Sequence, residues 1–161
     1  GLWTRARDDR DVTGLVHHSD RGVQYLAIRY TERLDAAGAV QLGILKDIFL
    51  GRKEWWSLVP DQSIFASGGN TEGRVLNLAA RHKDGQWVMA YLASQSTFSI
   101  NMDKLTAGKT ANAFWIDPRT GEKTSIGGLP ARAVRSFSTP EGWEDALLIL
   151  ETPPESSPAA N

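Results

Sequence analysis

Residues 83–93 read Lys-Asp-Gly-Gln-Trp-Val-Met-Ala-Tyr-Leu-Ala. The pair Asp84-Gly85 is a strong hairpin signal, because glycine takes up positive φ without steric cost. The run that follows, 86–93, reads as a strand buried on both faces or nearly so. Working outward, 75–81 opens with apolar residues at alternate positions. On the other side, 97–102 sets Phe98, Ile100 and Met102 against Thr97, Ser99 and Asn101. Residues 111–116 supply Phe114 and Trp115 and end at the turn Asp117-Pro118-Arg119-Thr120-Gly121, where proline fixes φ and glycine provides the positive-φ position. Segments 132–137 and 145–151 are two further strand candidates. Short strands separated by turn chemistry predict a mainly β fold, a β-sandwich of about six to eight antiparallel strands.

Before Pro60 the texture differs. Tyr25, Leu26, Ile28, Leu34, Leu42, Leu45, Ile48 and Phe49 recur at three- and four-residue steps, which favours helix. Ala36-Ala37-Gly38-Ala39 weakens the pattern, so one or two N-terminal helices are expected rather than one long one, the second ending at Gly51. Residues 1–23 are polar, and 153–161 are rich in Pro, Ser and Ala and expected to be disordered. There is no internal repeat.

An apolar content of 41% is enough to bury a core. Eighteen Lys and Arg against nineteen Asp and Glu give a net charge of −1, which removes any bulk electrostatic reason for a nucleic-acid or membrane partner. With no cysteine, disulfides, thiolate nucleophiles and Cys-based zinc sites are excluded. No segment approaches the ~20 apolar residues of a membrane span. The first ten residues are charged and lack the apolar stretch of a signal peptide, so as written the chain is expected in the cytoplasm.

Two resemblances lie on two parts of the chain. Residues 13–38, TGLVHHSDRGVQYLAIRYTERLDAAG, resemble part of the integrase-type catalytic core of insertion-sequence transposases, with HHSDRGVQY as the specific string. That resemblance makes Asp20 the match to the second of three metal-binding carboxylates. The other two have no counterpart, and a lone carboxylate cannot hold two ions, so Asp20 reads as vestigial. His17 and His18 are neighbours whose side chains would point apart on a strand. A basic face around Arg21, Arg29 and Arg33 would be the mark of a nucleic-acid enzyme.

From 38 to 151 the sequence is similar to a C-terminal domain found behind glycoside-hydrolase-like barrels and described as a collagen-binding domain of a collagenase. The matching strings are GAVQLGILKDIF (38–49), WWSLVPD (55–61), WVMAYL (87–92), AFWIDPRTG (113–121) and FSTPEGWEDALLILE (137–151). The resemblance implies an immunoglobulin-like sandwich preceded by the last helix of a barrel or its linker, in a family whose members are usually exported. It divides the chain into a transposase or integrase-core fragment (1–38, loop plus helix), a helix and linker (39–60), a β-sandwich accessory domain (61–152) and the tail (153–161). The whole reads as a chimeric, mobile-element-derived frame.

Trp56, Trp143 and Trp55 are the ligand-binding candidates, since exposed indoles stack on sugar rings or proline-rich chains. Trp143, between Gly142 and Glu144, is expected to be the most exposed, and one of Trp55 and Trp56 to plug the fold. Trp87 and Trp115 sit in strand patterns and belong to the core. Asp61, Asp103 and Asp117 fall at turns, where Asp caps or forms Asx-turns. His82 lies on a charged strand end, and no G-x-S-x-G elbow or phosphate-binding G-x-x-x-x-G-K is present. No catalytic, metal or cofactor site is expected. The reading is a non-catalytic accessory module for a polysaccharide or collagen-type polymer. The alternatives are an inactive transposase remnant, or a homodimer through the N-terminal helices with no ancestral function retained.

Overall fold

Within the 86–93 run, Trp87–Leu92 becomes a strand inside a six-stranded sheet, and all six of its residues are buried. The computed structural model describes residues 38–52, 54–72 and 75–153. Among these, one helix, α1 (Gly38–Leu50), precedes nine strands: β1 (Leu58–Pro60), β2 (Phe65–Ser67), β3 (Asn77–His82), β4 (Trp87–Leu92), β5 (Thr97–Asn101), β6 (Thr110–Ile116), β7 (Lys123–Pro130), β8 (Val134–Ser138) and β9 (Ala146–Glu151). The large sheet has the order β1-β3-β4-β9-β6-β7 and the small one β2-β5-β8, with every neighbouring pair antiparallel.

Successive side chains on a strand point to opposite faces, and this sorts the apolar runs into two cores. On one face Val88, Ala90 and Leu92 join Leu148, Leu150 and Trp115, and meet Phe98, Ile100 and Phe137 of the small sheet. On the other face Trp87, Met89 and Tyr91 join Leu147, Ile149 and Phe114, with Ile48 and Phe49 of α1 among them. The large sheet is thus apolar on both sides, which is why β4 and β9 show no polar alternation.

The strand count exceeds the six to eight expected from the sequence, and three strands account for the difference. β1 and β2 have three residues each, too few to show a period. β7, KTSIGGLP, is exposed along its length apart from a half-buried Leu129, so it carries no apolar alternation. Its pairing with β6 skips Ile126, since Ala113 faces Gly127 and Phe114 faces Ser125. Such a bulge disrupts the ladder locally and blunts an edge strand. The large sheet also begins at Leu58, inside the stretch read as helix and linker. The transposase-like piece up to residue 37, with Asp20, His17, His18, Arg21, Arg29 and Arg33, and tail residues 154–161 lie outside the described residues.

Three contacts fix the geometry. Gly85 turns the β3–β4 hairpin at φ 66°, and a Cβ there would stand 2.7 Å from the Thr106 amide nitrogen and 2.9 Å from the Lys104 carbonyl. Phe98 is 1% exposed and sits among Phe65, Trp115 and Phe137, with ring centroids 5.7, 6.2 and 6.0 Å away. Asp61 accepts from Ser63 N, from Arg81 Nε on β3 at 2.8 Å and from Lys104 Nζ, beyond β5, at 3.3 Å. It therefore ties the large sheet to the segment leaving the small one. Burial alone would raise the Asp61 carboxyl, but hydrogen bonds from Ser63, Arg81 and Lys104 outweigh it and hold the group at about 2.

Phe98→Ala is expected to cost about 3–5 kcal/mol in urea denaturation, whereas Val134→Ala, at a 57% exposed position, stays within about 0.5 kcal/mol. Asp61→Asn is expected to cost about 1–3 kcal/mol at neutral pH, the scale of hydrogen bonds to a charged group. Because the folded value is depressed, this stabilisation is complete above the ordinary Asp value of about 4 and is lost as pH falls through about 2. The gap between native and variant should narrow over that window; a constant gap contradicts the assignment.

Candidate functional site

Helix α1 ends at Gly51, whose N–H donates to Asp47 O at 2.9 Å, and the chain then turns through Glu54 in the left-handed region at φ 54°. A 3-10 turn, Trp55–Ser57, follows at once. Trp55 is half-buried against the helix side of the large sheet and lies 6.1 Å from the Phe49 ring. Trp56 stands edge-on to Trp55 at 6.2 Å and 78°, and is 67% exposed. One indole plugs the fold and the other projects from it, as the sequence suggested for this pair. Leu50 and Val59, from the same stretch, are also exposed.

The structure corrects the expectation for Trp143. It is half-buried and packs against the core shared by the two sheets. The reason is topological. The connection 139–145 carries the chain from β8 in the small sheet to β9 in the middle of the large one, and Trp143 lies against the core at that crossing. Trp87 and Trp115 are 4% and 6% exposed, in line with their strand phase.

The carboxylates picked out by the sequence serve the backbone and nearby cations. Asp117 is buried and accepts from Arg119 N at 2.8 Å, while Gly121 N closes the same turn on the Asp117 carbonyl. Asp103 accepts from Ala133 N at 3.1 Å, and Asp61 holds Arg81 and Lys104. A groove of about 500 Å³ runs between α1 and the β6–β7 hairpin, with Asp47, Arg52, Phe114, Thr120, Lys123 and Glu151 on its walls. Arg52 Nε lies 2.8 Å from Glu151 Oε1, its Nη1 donates to Ile48 O, and its guanidinium carbon is 5.8 Å from the Trp87 and Phe114 rings. Burial pulls the Arg52 guanidinium below its ordinary value, with Glu151 opposing the shift. This arrangement fastens α1 to β9.

His82 is the last residue of β3, between Arg81 and Lys83, the charged strand end expected from the sequence, and the structure adds that the residue is 0% exposed. Its phase with Leu78 and Ala80 places it on the helix side of the large sheet, a signal that the flanking Arg81 and Lys83 concealed. Nδ1 accepts from Asp84 N at 3.2 Å, and Nε2 lies 3.5 Å from Glu54 Oε2 without a hydrogen-bond partner. On the outer face of the small sheet, hydroxyls pair in rungs, Thr97 with Ser138 at 3.1 Å and Ser99 with Ser136 at 3.0 Å.

Known proteins agree with both parts of the sequence reading. A 38-residue stretch, 23% of this chain and 14% of the other, is 47% identical to "Putative transposase for insertion sequence element IS986/IS6110" from Mycobacterium tuberculosis (strain CDC 1551 / Oshkosh). Two solved structures share the fold at a TM-score of 0.62. One is a glycoside hydrolase, 27% identical, with 75% of this chain and 26% of that chain covered. The other is a glycoside hydrolase family 5 protein from Bacteroides vulgatus ATCC 8482, 30% identical, with 73% and 25% covered. The chain thus spans about a quarter of the length of these hydrolases. The model of the family described as "Putative collagen-binding domain of a collagenase" matches residues 59–151, from β1 through β9. As that match runs over more than half of the 161 residues, the chain belongs to this collagen-binding domain family.

Proposed function

We propose that this protein is a non-catalytic accessory module, an immunoglobulin-like β-sandwich from β1 through β9, that binds a collagen-type or polysaccharide polymer through Trp56. The helix and linker 39–60 carry the indole, and the transposase-like piece 1–38 is a remnant joined to the module in a chimeric frame. The carrying observation is Trp56 itself: a 67% exposed indole that Trp55 and Phe49 brace from behind. Burying a large aromatic in the free protein is favourable, so one held at the surface by its own neighbours is suited to stacking on a proline or pyranose ring. The edge-on contact with Trp55 limits the rotamers open to the indole, which lowers the side-chain entropy lost on binding.

The state of the carboxylates supports the non-catalytic reading. A glycosidase needs two carboxyl groups about 5–10 Å apart across a cleft. Asp61, Asp103 and Asp117 each serve a turn or an ion pair instead. A second reading, a homodimer through α1, draws on Leu42 and Leu50, which are eight residues apart on the helix and 48% and 56% exposed.

The test is a titration of the full chain with triple-helical collagen peptide and with a pectin-type oligosaccharide panel, followed by tryptophan emission. A saturable blue shift is expected with one of these ligands, and Trp56→Ala should weaken binding at least tenfold, about 1.4 kcal/mol. Equal binding by Trp56→Ala, or no binding to either class, overturns the proposal. A concentration-dependent dimer in light scattering that Leu42→Glu dissolves would then favour the second reading.

A further inference from the structure

We propose that His82 Nε2 and Glu54 form a binding site for a borderline divalent cation of the zinc type, with Asp84 as the partner that orients the imidazole. The site joins two separate elements: Glu54 follows α1, while His82 and Asp84 belong to the β3–β4 hairpin.

Three observations converge. The imidazole is 0% exposed, yet its Nε2 has no hydrogen-bond partner. Buried polar atoms are almost always satisfied, so an orphan of this kind points to a missing ligand. Next, the nearest oxygen, Glu54 Oε2, lies 3.5 Å away. That is long for an N–H···O bond, which favours about 2.7–3.2 Å. It is close to the separation of two donors on one tetrahedral ion, since bonds of about 2.0–2.1 Å at the tetrahedral angle put the donors about 3.4 Å apart. Third, Asp84 completes a cluster of ligating groups within 4.8 Å of one another, its carboxylate standing 4.0 Å from Nδ1, the ring nitrogen that an ion on Nε2 leaves free.

The second ring nitrogen completes the arrangement. Nδ1 accepts from the Asp84 amide at 3.2 Å, so the ring proton sits on Nε2. An ion on Nε2 displaces that proton and requires the ring to carry it on Nδ1, which gives up the bond from the Asp84 amide. The Asp84 carboxylate, 60% exposed and free to turn, is 4.0 Å from Nδ1 and can accept it. This is the carboxylate–histidine–metal relay that fixes ligand orientation in metal sites. An imidazole nitrogen in the set selects zinc-like ions over calcium or magnesium, which prefer oxygen throughout. The Glu54 and Asp84 side chains are both partly exposed, at 33% and 60%, so the carboxylates reach from solvent to the buried ring. Bound there, the ion would clamp the linker that carries Trp55 and Trp56 to the sheet.

His17 and His18 could also take up metal, so the test uses the full chain with both replaced by Asn. Zinc is titrated against this protein by calorimetry, and the ring nitrogens of His82 are followed by NMR. One ion per chain is expected to bind. The His82 proton should move from Nε2 to Nδ1, Tm should rise, and magnesium at the same concentration should do neither. Glu54→Gln should weaken zinc binding at least tenfold while the protein stays folded, and His82→Gln, where it folds, should abolish it. Unchanged His82 nitrogen shifts with zinc, equal affinity in Glu54→Gln, or an equal response to magnesium would each overturn the proposal.

Discussion

The large sheet is held together by β9. The hairpin β3–β4 and the hairpin β6–β7 have no direct pairing with each other; β9 lies between β4 and β6 and pairs with both. Five of its six residues are buried, alternating between the two cores, so a polar side chain at any of these positions would face an apolar layer. Its partners come from well before it in the chain, which makes the sheet rich in long-range contacts.

That constraint explains the surroundings. A sheet with two apolar faces needs two covers. The small sheet supplies one through Phe98, Ile100 and Phe137, and α1 contributes Ile48 and Phe49 to the other. The alanines at 79, 90, 111, 113 and 146 leave room on the first face for the aromatic cluster around Phe98. On the second face, Arg52 crosses from the end of α1 to Glu151 at the end of β9, so the ion pair pins the helix to the strand that unites the sheet. Most polar groups at the element ends are likewise engaged: Asp61, Asp103 and Asp117 each satisfy backbone or cationic partners.

The two proposed sites lie where α1 passes into the sheet. The short turn after Gly51 presents Trp56 outward and brings Glu54 to His82, so an aromatic contact and a set of ligating atoms share one linker. The placement of Trp56 depends on α1 being seated, because Phe49 braces Trp55 and Trp55 backs Trp56.

The sequence by itself determined the inner strands and their turns. Residues 87–92 and 146–151 are apolar without a break because both their faces are covered, and Asp84-Gly85 and Asp117 to Gly121 are turns by local backbone chemistry alone. It also determined the family, through strings spaced along the chain. Edge strands were illegible for a physical reason: β7 buries almost nothing, so nothing in its composition had to alternate. The surroundings of single side chains were decided only by tertiary structure. Trp143 is half-buried because β8 and β9 belong to different sheets and the chain must cross the core's margin between them. His82 is buried because its register on β3 turns it toward α1's side of the sheet, with Glu54 brought close from another part of the chain. Pairing across distant segments sets such contacts, and local pattern carries no record of it.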